Sequence, residues 1–422
     1  MPQVNMKDML HHAYRNSYAV GAFGLQSLDF LEAIVTAAES ARAPVILSLT
    51  EAHFNHFDFK LAMSAVEAAA QRAVVPVAIH LDRGANFDSA VSAIRHGCNS
   101  VMVDTSHLPL GENIEITRTV VKMAHACGVA AEGELGYIPS VNEEETEQHP
   151  CVASYTTPAE AKGFVERTGV DFLAVSVGTV HDRMNGKPKL DWSRLQGINA
   201  AVGIPLVIRG VSGLTHEQYY KLITMGVAKI NYYTTLSEIA GDCIRATAKS
   251  GTKGYGALLA GVRAAVSAEV ERCMRMWGTA GRAAEVLAQC RPWLNVEHVI
   301  VYNAPGLDGE RLRVAMAEGQ RQLAAIPGVR EIQAGSVADK SSRYRHCWLI
   351  RFASAAVIDS YNQHPAHIAF VDRLLNPEAA DRLTADYLVA GIETGAAALP
   401  ISCAVATANT ANTNSVLARQ RI

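Results

Sequence analysis

Polar residues that could carry acid–base or metal chemistry follow directly on short apolar runs of this sequence. They are His80, Asp82 and Arg83; Asp104; Glu132 and Glu134; His181; Arg209 and Gly210; and Asn231. Carboxylates move protons or bind cations, imidazoles do either, and guanidiniums bind anions. Any one such residue beyond a strand can equally be a helix cap or turn residue without a catalytic role.

Eight short apolar runs precede these residues, and a longer segment with helical spacing follows each run. The runs span residues 18–23, 44–49, 75–81, 100–103, 129–134, 172–177, 204–208 and 228–231. Strands that are apolar throughout are typical of parallel sheets covered by helices on both faces. The pattern predicts an α/β fold, a (β/α)8 TIM barrel over residues 1–290, with its active site at the carboxyl ends of the strands.

A small α+β ferredoxin-like domain is predicted over residues 295–392. Its segments follow the order β-α-β-β-α-β, with strands over 296–302, 329–337, 346–353 and 381–389 and helical spacing over 308–325 and 354–375. Several aromatic and imidazole side chains fall in this domain: Tyr302, His346, Tyr361, His364 and His367. They line either a second pocket or a packed core and dimer face.

Composition excludes several classes of protein. With 49% hydrophobic and 19% charged residues in 422, the chain can bury a large core, and its net charge of −3 favours neither nucleic acid nor an anionic membrane as a partner. No apolar stretch is long enough to cross a membrane and no signal peptide is evident, so we expect a cytoplasmic protein. Residues 404–422, rich in Ala, Thr and Asn, are expected to form a flexible tail.

Several separated motifs resemble the class II ketose-bisphosphate aldolases, which include fructose- and tagatose-bisphosphate aldolases. The resemblance covers about residues 1–285 and rests on Tyr18-Ala-Val-Gly-Ala-Phe23, Val77-Ala-Ile-His-Leu-Asp82, Ser100-Val-Met-Val-Asp104, Glu132-Gly-Glu-Leu-Gly136, Tyr155-Thr-Thr-Pro158, Asp171-Phe-Leu-Ala-Val-Ser-Val-Gly-Thr179, Pro188-Lys-Leu190 and Lys229-Ile-Asn231. Residues 295–392 resemble the stress-responsive A/B barrel domain, most clearly at His364-Pro-Ala-His-Ile-Ala-Phe370. Because that module dimerises, the resemblance implies a homodimer or higher oligomer.

The resemblance to the aldolases implies a carbon–carbon lyase with a zinc ion. In such enzymes three histidines hold zinc, which polarises the ketose carbonyl, and an aspartate moves the proton on the hydroxyl. The aspartate matches Asp82 and one zinc ligand matches His181, whereas the other two ligand positions are Arg83 and Arg209. A guanidinium stays protonated and has no lone pair for a metal, so we expect no zinc cofactor.

The two arginines leave alternatives open. We favour a remodelled site in which Arg83 and Arg209 form a fixed cation pair that binds a carboxylate or a developing enolate. Alternatively, they pair with Asp104 and Glu134 and only fill the metal cavity. A metal site rebuilt from His181, Asp104, Glu132 and Glu134 is a third possibility.

The resemblance also implies a site for a substrate phosphate, held by backbone amides and an Asn-x-x-Thr segment. The matching residues are Gly210, Ser212, Gly213, Asn231 and Thr234. Three positions depart from the family pattern: Val211 interrupts a glycine pair, Asp182 replaces a glycine, and Gly24 replaces an asparagine. The sequence therefore leaves open whether the substrate is phosphorylated.

We predict an aldolase-type lyase for a small anionic molecule, a polyhydroxylated compound or an oxo acid, with a phosphorylated ketose among the options. Asp82 is the predicted acid–base residue and His181 the predicted electrophile or proton donor. Arg83, Arg209 and Glu134 complete the predicted catalytic set, and Asp104 joins the substrate-binding residues. The alternatives are a zinc-dependent ketose-bisphosphate aldolase with a rearranged ligand set and a non-catalytic protein that binds a sugar phosphate.

Overall fold

The structure is a computed structural model. It describes residues 2–52, 58–136, 155–178, 190–307, 309–339, 341–375 and 381–389. The predicted ligand His181, the neighbouring Asp182 and the predicted tail over 404–422 lie outside the described residues. The chain divides into a unit over residues 1–390 and a second over 391–422, and only the first contains described residues.

Eight parallel strands close into a barrel in sequence order, with β1 hydrogen-bonded to both β2 and β8. The strands are β1 (Val20–Gly24), β2 (Val45–Thr50), β3 (Val77–Gly84), β4 (Ser100–Val103), β5 (Ala130–Leu135), β6 (Phe172–Val175), β7 (Leu206–Ile208) and β8 (Val227–Tyr232). Nearly all strand residues are buried, because helices cover the outer face and side chains fill the interior. The predicted TIM barrel is confirmed.

Twelve described helices precede the small domain. They are α1 (Met6–Arg15), α2 (Leu28–Ala41), α3 (Phe59–Arg72), α4 (Phe87–Arg95), α5 (Leu110–Ala126), α6 (Pro158–Thr168), α7 (Trp192–Val202), α8 (His216–Thr224), α9 (Thr234–Lys249), α10 (Tyr255–Leu259), α11 (Val262–Met276) and α12 (Ala283–Gln289). Local sequence determines many of their starts. Ser27 and Asn86 accept backbone N–H bonds at the first turns of α2 and α4, and Thr157 forms a capping box with Glu160. No helix among the described residues is long and apolar enough to span a membrane.

The small domain contains a four-stranded antiparallel sheet in the order β10-β11-β9-β12. Its elements are β9 (Asn295–Tyr302), α13 (Gly309–Ala324), β10 (Val329–Ser336), β11 (His346–Phe352), α14 (Val357–Asn362), α15 (Pro365–Phe370) and β12 (Arg382–Val389). Burial alternates along β9, so one face of the sheet packs under the helices. The predicted ferredoxin-like order is confirmed.

One predicted element differs in detail. The helical segment expected over 354–375 is divided into α14, α15 and a π-helical turn over Val371–Leu375. Pro365 causes the division, because proline has no N–H to donate and its ring disfavours a helical residue before it. His364 is extended and caps α15 instead, accepting the backbone N–H of Ala366 on Nδ1.

The small domain packs against the edge of the barrel where the strands begin. Ser354 Oγ donates to the carbonyl of Cys127 over 2.7 Å, just after α5, and Arg330 Nε donates to the carbonyl of Arg95 over 3.1 Å, at the end of α4. Arg330 also forms a 2.7 Å ion pair with Glu67. One continuous apolar core joins the outer layer of the barrel to the small domain. The small domain therefore does not cover the opposite edge, where the strands end and the predicted active site lies.

Candidate active site

Charged side chains are stacked inside the barrel above its apolar floor. The floor contains Ala78, Ala130, Phe172 and Val207. Two residues beyond Ala78, Ala130 and Val207 the interior turns polar, with His80, Glu132 and Arg209, because alternate strand residues point inward. His80 and Asp82 on β3 and Glu132 and Glu134 on β5 therefore lie one above the other and are all nearly inaccessible to solvent.

Arg209 is the centre of this charged layer. It follows β7, is 4% exposed and directs Nη2 at Asp82 Oδ1 (2.6 Å) and Glu132 Oε1 (2.9 Å). Its Nε lies 2.9 Å from Glu134 Oε2. No described residue is hydrogen-bonded to Nη1. One guanidinium therefore joins three carboxylates from two strands.

A second buried cation lies lower in the barrel. Lys229 on β8 is fully buried, and its Nζ forms a 2.6 Å ion pair with Glu132 Oε2. His80 Nε2 lies 3.6 Å from the same oxygen, while its Nδ1 lies 3.0 Å from Ser100 Oγ. Burial, assisted by the charge of Lys229, lowers the pKa of His80 to about 3, so this imidazole is neutral at physiological pH.

Arg83 reaches the site through an irregularity in β3. The pairing of β3 with β4 shifts between Leu81 and Gly84, and Arg83 has φ +52°, in the left-handed region that favours glycine. In a regular strand Asp82 and Arg83 would point to opposite faces, whereas a bulge can redirect a side chain. Arg83 Nε lies 3.6 Å from Asp104 Oδ2, and Nη2 lies 3.7 Å from Glu134 Oε1. The side chain is 29% exposed and lies nearer the opening than Arg209.

Charge explains the protonation of the cluster. Among the described residues it contains four carboxylates, Asp82, Asp104, Glu132 and Glu134, against three cations, Arg83, Arg209 and Lys229. Burial alone would raise the pKa of Asp82, but the charge and hydrogen bond of Arg209 hold that pKa far below its usual range. Burial raises the pKa of Glu134 despite its two arginine neighbours. Asp82 is therefore ionised and can accept a proton, and Glu134 is the carboxyl group of the cluster that most readily carries a proton.

The residues expected to hold an anion follow β7 and β8. Gly210 and Gly213 both have positive φ, at +64° and +89°, and the turn between them is fastened by Tyr219, whose hydroxyl donates to the Val211 carbonyl over 2.7 Å. Ser212 Oγ accepts a 3.1 Å bond from Thr235 Oγ1. Thr234 begins α9, whose N-terminal amides favour an anion.

Two further residues at the end of β8, Asn231 and Tyr233, lie near the residues expected to hold an anion. Neither Asn231 Oδ1 nor Nδ2 has a hydrogen-bond partner among the described residues, although both atoms are buried. The Tyr233 ring packs on Gly24, where an added Cβ would lie 2.9 Å from Tyr233 Cδ2, and Gln26 donates to the Tyr233 hydroxyl. The side chain missing at Gly24 is thus replaced in space by an aromatic ring.

The structure brings together most of the predicted site residues. Asp82, Arg83, Asp104, Glu134 and Arg209 form one cluster, and Gly210, Ser212, Gly213, Asn231 and Thr234 lie at neighbouring strand ends. The position of His181 lies outside the described residues. Sequence reasoning missed Lys229 as the partner of Glu132. A lysine in an otherwise apolar strand was the available signal, because a buried ammonium requires a partner.

Comparisons with known proteins show the family to which this chain belongs. Residues 4–282 match the family described as fructose-bisphosphate aldolase class-II, and residues 296–389 match the stress responsive A/B barrel domain. The fructose-bisphosphate aldolase of Geobacillus stearothermophilus is 37% identical over 290 residues, which are 68% of this chain and 100% of the relative. That of Staphylococcus epidermidis is 38% identical over 288 residues, 67% of this chain and 100% of the relative. The chain belongs to the class II fructose-bisphosphate aldolase family.

A solved structure agrees with this membership. The crystal structure of the YdjI aldolase from Escherichia coli K12 superposes with a TM-score of 0.60 at 31% identity, covering 67% of this chain and 99% of that one. The chain is accordingly an aldolase-type lyase that acts on a small molecule. Members of this family typically depend on zinc. Within the described part of this chain, ligand atoms of His80, Asp82 and Glu132 lie within 4.8 Å of one another.

Proposed function

We propose that this aldolase-type lyase cleaves or forms a carbon–carbon bond with Arg209, and not a zinc ion, as the central positive charge of its site. The observation that carries the proposal is the position of Arg209, enclosed by Asp82, Glu132 and Glu134 at 2.6–2.9 Å. A guanidinium there stabilises negative charge with oriented donors, in the way an oxyanion site does.

The carboxylates around Arg209 do not fit a divalent ion as they stand. Asp82 and Glu132 belong to the group with possible metal ligands, yet Arg209 Nη2 contacts both, and Lys229 Nζ takes the other oxygen of Glu132. A metal would have to displace the guanidinium and would meet two positive charges within a few ångströms. No step of the proposed reaction is therefore assigned to a metal.

The proposed reaction uses Asp82 as the base. During cleavage its carboxylate accepts the proton of a substrate hydroxyl. The carbon that carries this hydroxyl loses its bond to the neighbouring carbon, and the electron pair of the broken bond passes into an enolate. Arg209 and the partly exposed Arg83 would stabilise the enolate oxygen or a substrate carboxylate. In the reverse direction Asp82 returns the proton to the new hydroxyl.

The proposed substrate is a small polyhydroxylated compound or oxo acid with an anionic group. Gly210, Ser212, Gly213 and Thr234 would bind that group, using the turn after β7 and the N-terminus of α9. Tyr233 occupies space beside Gly24 in the same region.

Metal analysis tests this proposal directly. The metal content of freshly purified, untagged full-length protein should be well below one divalent ion per chain, and a strong chelator should leave aldol cleavage across a panel of hydroxy-oxo acids and ketose phosphates unchanged. Restoring histidine at both positions, R83H/R209H, should raise zinc affinity and lower the native activity. One bound zinc per wild-type chain, with activity lost to chelator, would overturn the proposal.

A zinc enzyme with a rearranged ligand set is the second candidate. It is favoured by one observation, the proximity of His80 Nε2 to the carboxylates of Asp82 and Glu132. It predicts that H80Q abolishes both zinc binding and turnover. The metal-free proposal predicts that H80Q retains turnover, since His80 lies below the layer that meets the substrate.

A further inference from the structure

The bulge that carries Arg83 has a strained backbone, which its neighbours must hold. Arg83 has φ +52°, and a residue other than glycine keeps such a conformation only where surrounding contacts fix it. Leu81 on β3 pairs with Val101 on β4. Gly84 pairs with Val103, so β3 uses one residue more than β4 over this stretch. A contact that fixes the end of the bulge therefore also fixes the direction of the Arg83 side chain.

On one side the bulge is held by β4. The carbonyl of Gly84 accepts the backbone N–H of Asp104 over 3.0 Å. A Cβ added to Gly84 would lie 2.8 Å from Leu81 Cδ2 and 3.2 Å from the Met102 carbonyl oxygen, so the backbone packs closely there. The side that faces β2 needs a contact of its own.

Glu51 supplies the contact on the β2 side. Thr50 pairs with Asp82, so Glu51 leaves β2 where the bulge leaves β3. Glu51 Oε2 accepts the backbone N–H of Ala85 over 2.6 Å, and Oε1 accepts the hydroxyl of Ser89, in the first turn of α4, over 2.8 Å. Hydrogen bonds to a carboxylate are stronger than those between neutral groups, and a helix N-terminus favours a negative charge. Glu51 thus ties the end of the bulge to β2 and α4.

Glu51 is linked to the charged cluster through the backbone alone. Within the described part of the chain, both oxygens of its carboxylate bond to the two partners just named and to no member of the cluster. Arg83 lies two positions before Ala85. Its ion pairs with Asp104 and Glu134 measure 3.6 and 3.7 Å, longer than a hydrogen bond, so these two pairs alone do not fix the guanidinium. The backbone of the bulge has to direct it.

We propose that Glu51 is a positioning residue of the lyase, which acts through the backbone at Ala85 to direct the Arg83 guanidinium into the site. The inference rests on the proposed function, in which Arg83 stabilises an enolate oxygen or a substrate carboxylate. Without the Glu51 bonds the turn relaxes to a negative φ. Adjacent residues of a regular strand point to opposite faces, so Arg83 then turns away from the face that Asp82 occupies. The anion loses one of its two guanidiniums.

Oxalate binding tests the proposal on the full chain. Oxalate is a planar dicarboxylate that resembles the enolate of an oxo acid, and its affinity is measured by calorimetry in buffer with EDTA. We expect R83M and E51A each to weaken binding by about tenfold. E51Q should bind within about threefold of the wild type, because its amide oxygen can accept the Ala85 N–H and its amino group can donate to the Ser89 hydroxyl. E51A/R83M should bind no more weakly than R83M, because Glu51 acts only through Arg83.

Two further variants separate this role from a general loss of structure. E39A is the matched control, since Glu39 Oε1 accepts the backbone N–H of Val74 over 3.1 Å, across a similar separation in the chain but ahead of β3. Its oxalate affinity should equal that of the wild type. S89A removes one of the two bonds of Glu51 and should weaken oxalate binding by about threefold. Thermal unfolding midpoints show which variants are folded.

Crystal structures of E51A and E51Q provide a readout that does not depend on the ligand. The φ of Arg83 should be negative in E51A and stay positive in E51Q. Wild-type oxalate affinity in E51A, or in S89A if E51A does not fold, would overturn the positioning role and leave the lyase proposal untouched, as would a positive φ in E51A. Equal oxalate binding by R83M and the wild type would instead count against the proposed role of Arg83, and the φ of Arg83 in the folded variant then decides the role of Glu51.

Discussion

Replacing Arg209 by methionine should destabilise the protein and, on the metal-free proposal, create a metal site. The side chain is 4% exposed and lies 2.6–2.9 Å from three carboxylates. Removing one partner of a buried ion pair costs about 3–5 kcal/mol, because an uncompensated charge stays buried.

The sign of the pH dependence follows from Asp82. In the wild type Arg209 holds the pKa of Asp82 far below its usual range, so the stability due to that carboxylate is present above about pH 4 and lost as the pH falls further. In R209M burial raises the same pKa above its unfolded value, and protonation then relieves the penalty. The difference in unfolding free energy between the two proteins should therefore be largest near pH 8 and shrink toward pH 5.

Urea unfolding with and without zinc provides the assay. R209M frees Asp82 Oδ1 and Glu132 Oε1 beside His80. Zinc at a hundred times its dissociation constant should then stabilise the variant by about 2.7 kcal/mol. The wild type should show no such gain. R263M is the matched control, since Arg263 forms an exposed ion pair with Glu32 and should cost less than about 1 kcal/mol. Equal stabilisation of wild type and R209M by zinc, or a cost for R209M no larger than that of R263M, would refute the reasoning.

Three further predictions follow from single side chains. D82N should abolish aldol turnover while substrate binding, measured by calorimetry, persists; retained turnover would remove Asp82 from its role as base. H80Q should flatten the dependence of the unfolding free energy on pH between about pH 6 and 4.5. In the wild type the unfolded chain protonates His80 below its ordinary pKa of 6.5, whereas in the folded protein this pKa is about 3, so the unfolding free energy falls by up to about 1.4 kcal/mol per pH unit. An unchanged slope in urea titrations would contradict this prediction. G328A should lower the unfolding free energy by about 1–3 kcal/mol more than G251A. Both glycines have positive φ, but only at Gly328 would an added Cβ contact another side chain, Val357 at 2.6 Å. Equal losses of unfolding free energy would show that the structure around Gly328 accommodates the added methyl group.

Most of the barrel could be predicted from the chain because each strand is a short apolar run and each helix begins with its own cap. The prediction of β4 as residues 100–103 agrees with the structure, and that of β6 begins correctly at Phe172. The small domain was predictable in its order for the same reason. The segment predicted as helical over 354–375 is helical in three pieces, and Pro365 is the local signal that indicates the break.

The chemistry of the site was less predictable. Asp82, Glu134 and Arg209 could be found because each follows an apolar strand and matches a family position. Which arginine contacts which carboxylate could not, because the contacts join residues of β3, β5, β7 and β8 across the barrel interior. The position of Arg83 depends on a bulge in β3, and a positive φ at arginine has no signature in the sequence.

The sequence by itself determined the fold, the family and the set of charged residues at the strand ends, because periodicity, caps and turn residues act over a few neighbouring positions. Only the tertiary structure decided how that set is neutralised. Closing the barrel brings Lys229 to Glu132 and Arg209 between Asp82 and Glu134, and it stacks Tyr233 on Gly24. Such pairings between residues far apart in the chain depend on strand register and barrel closure, which no local pattern encodes.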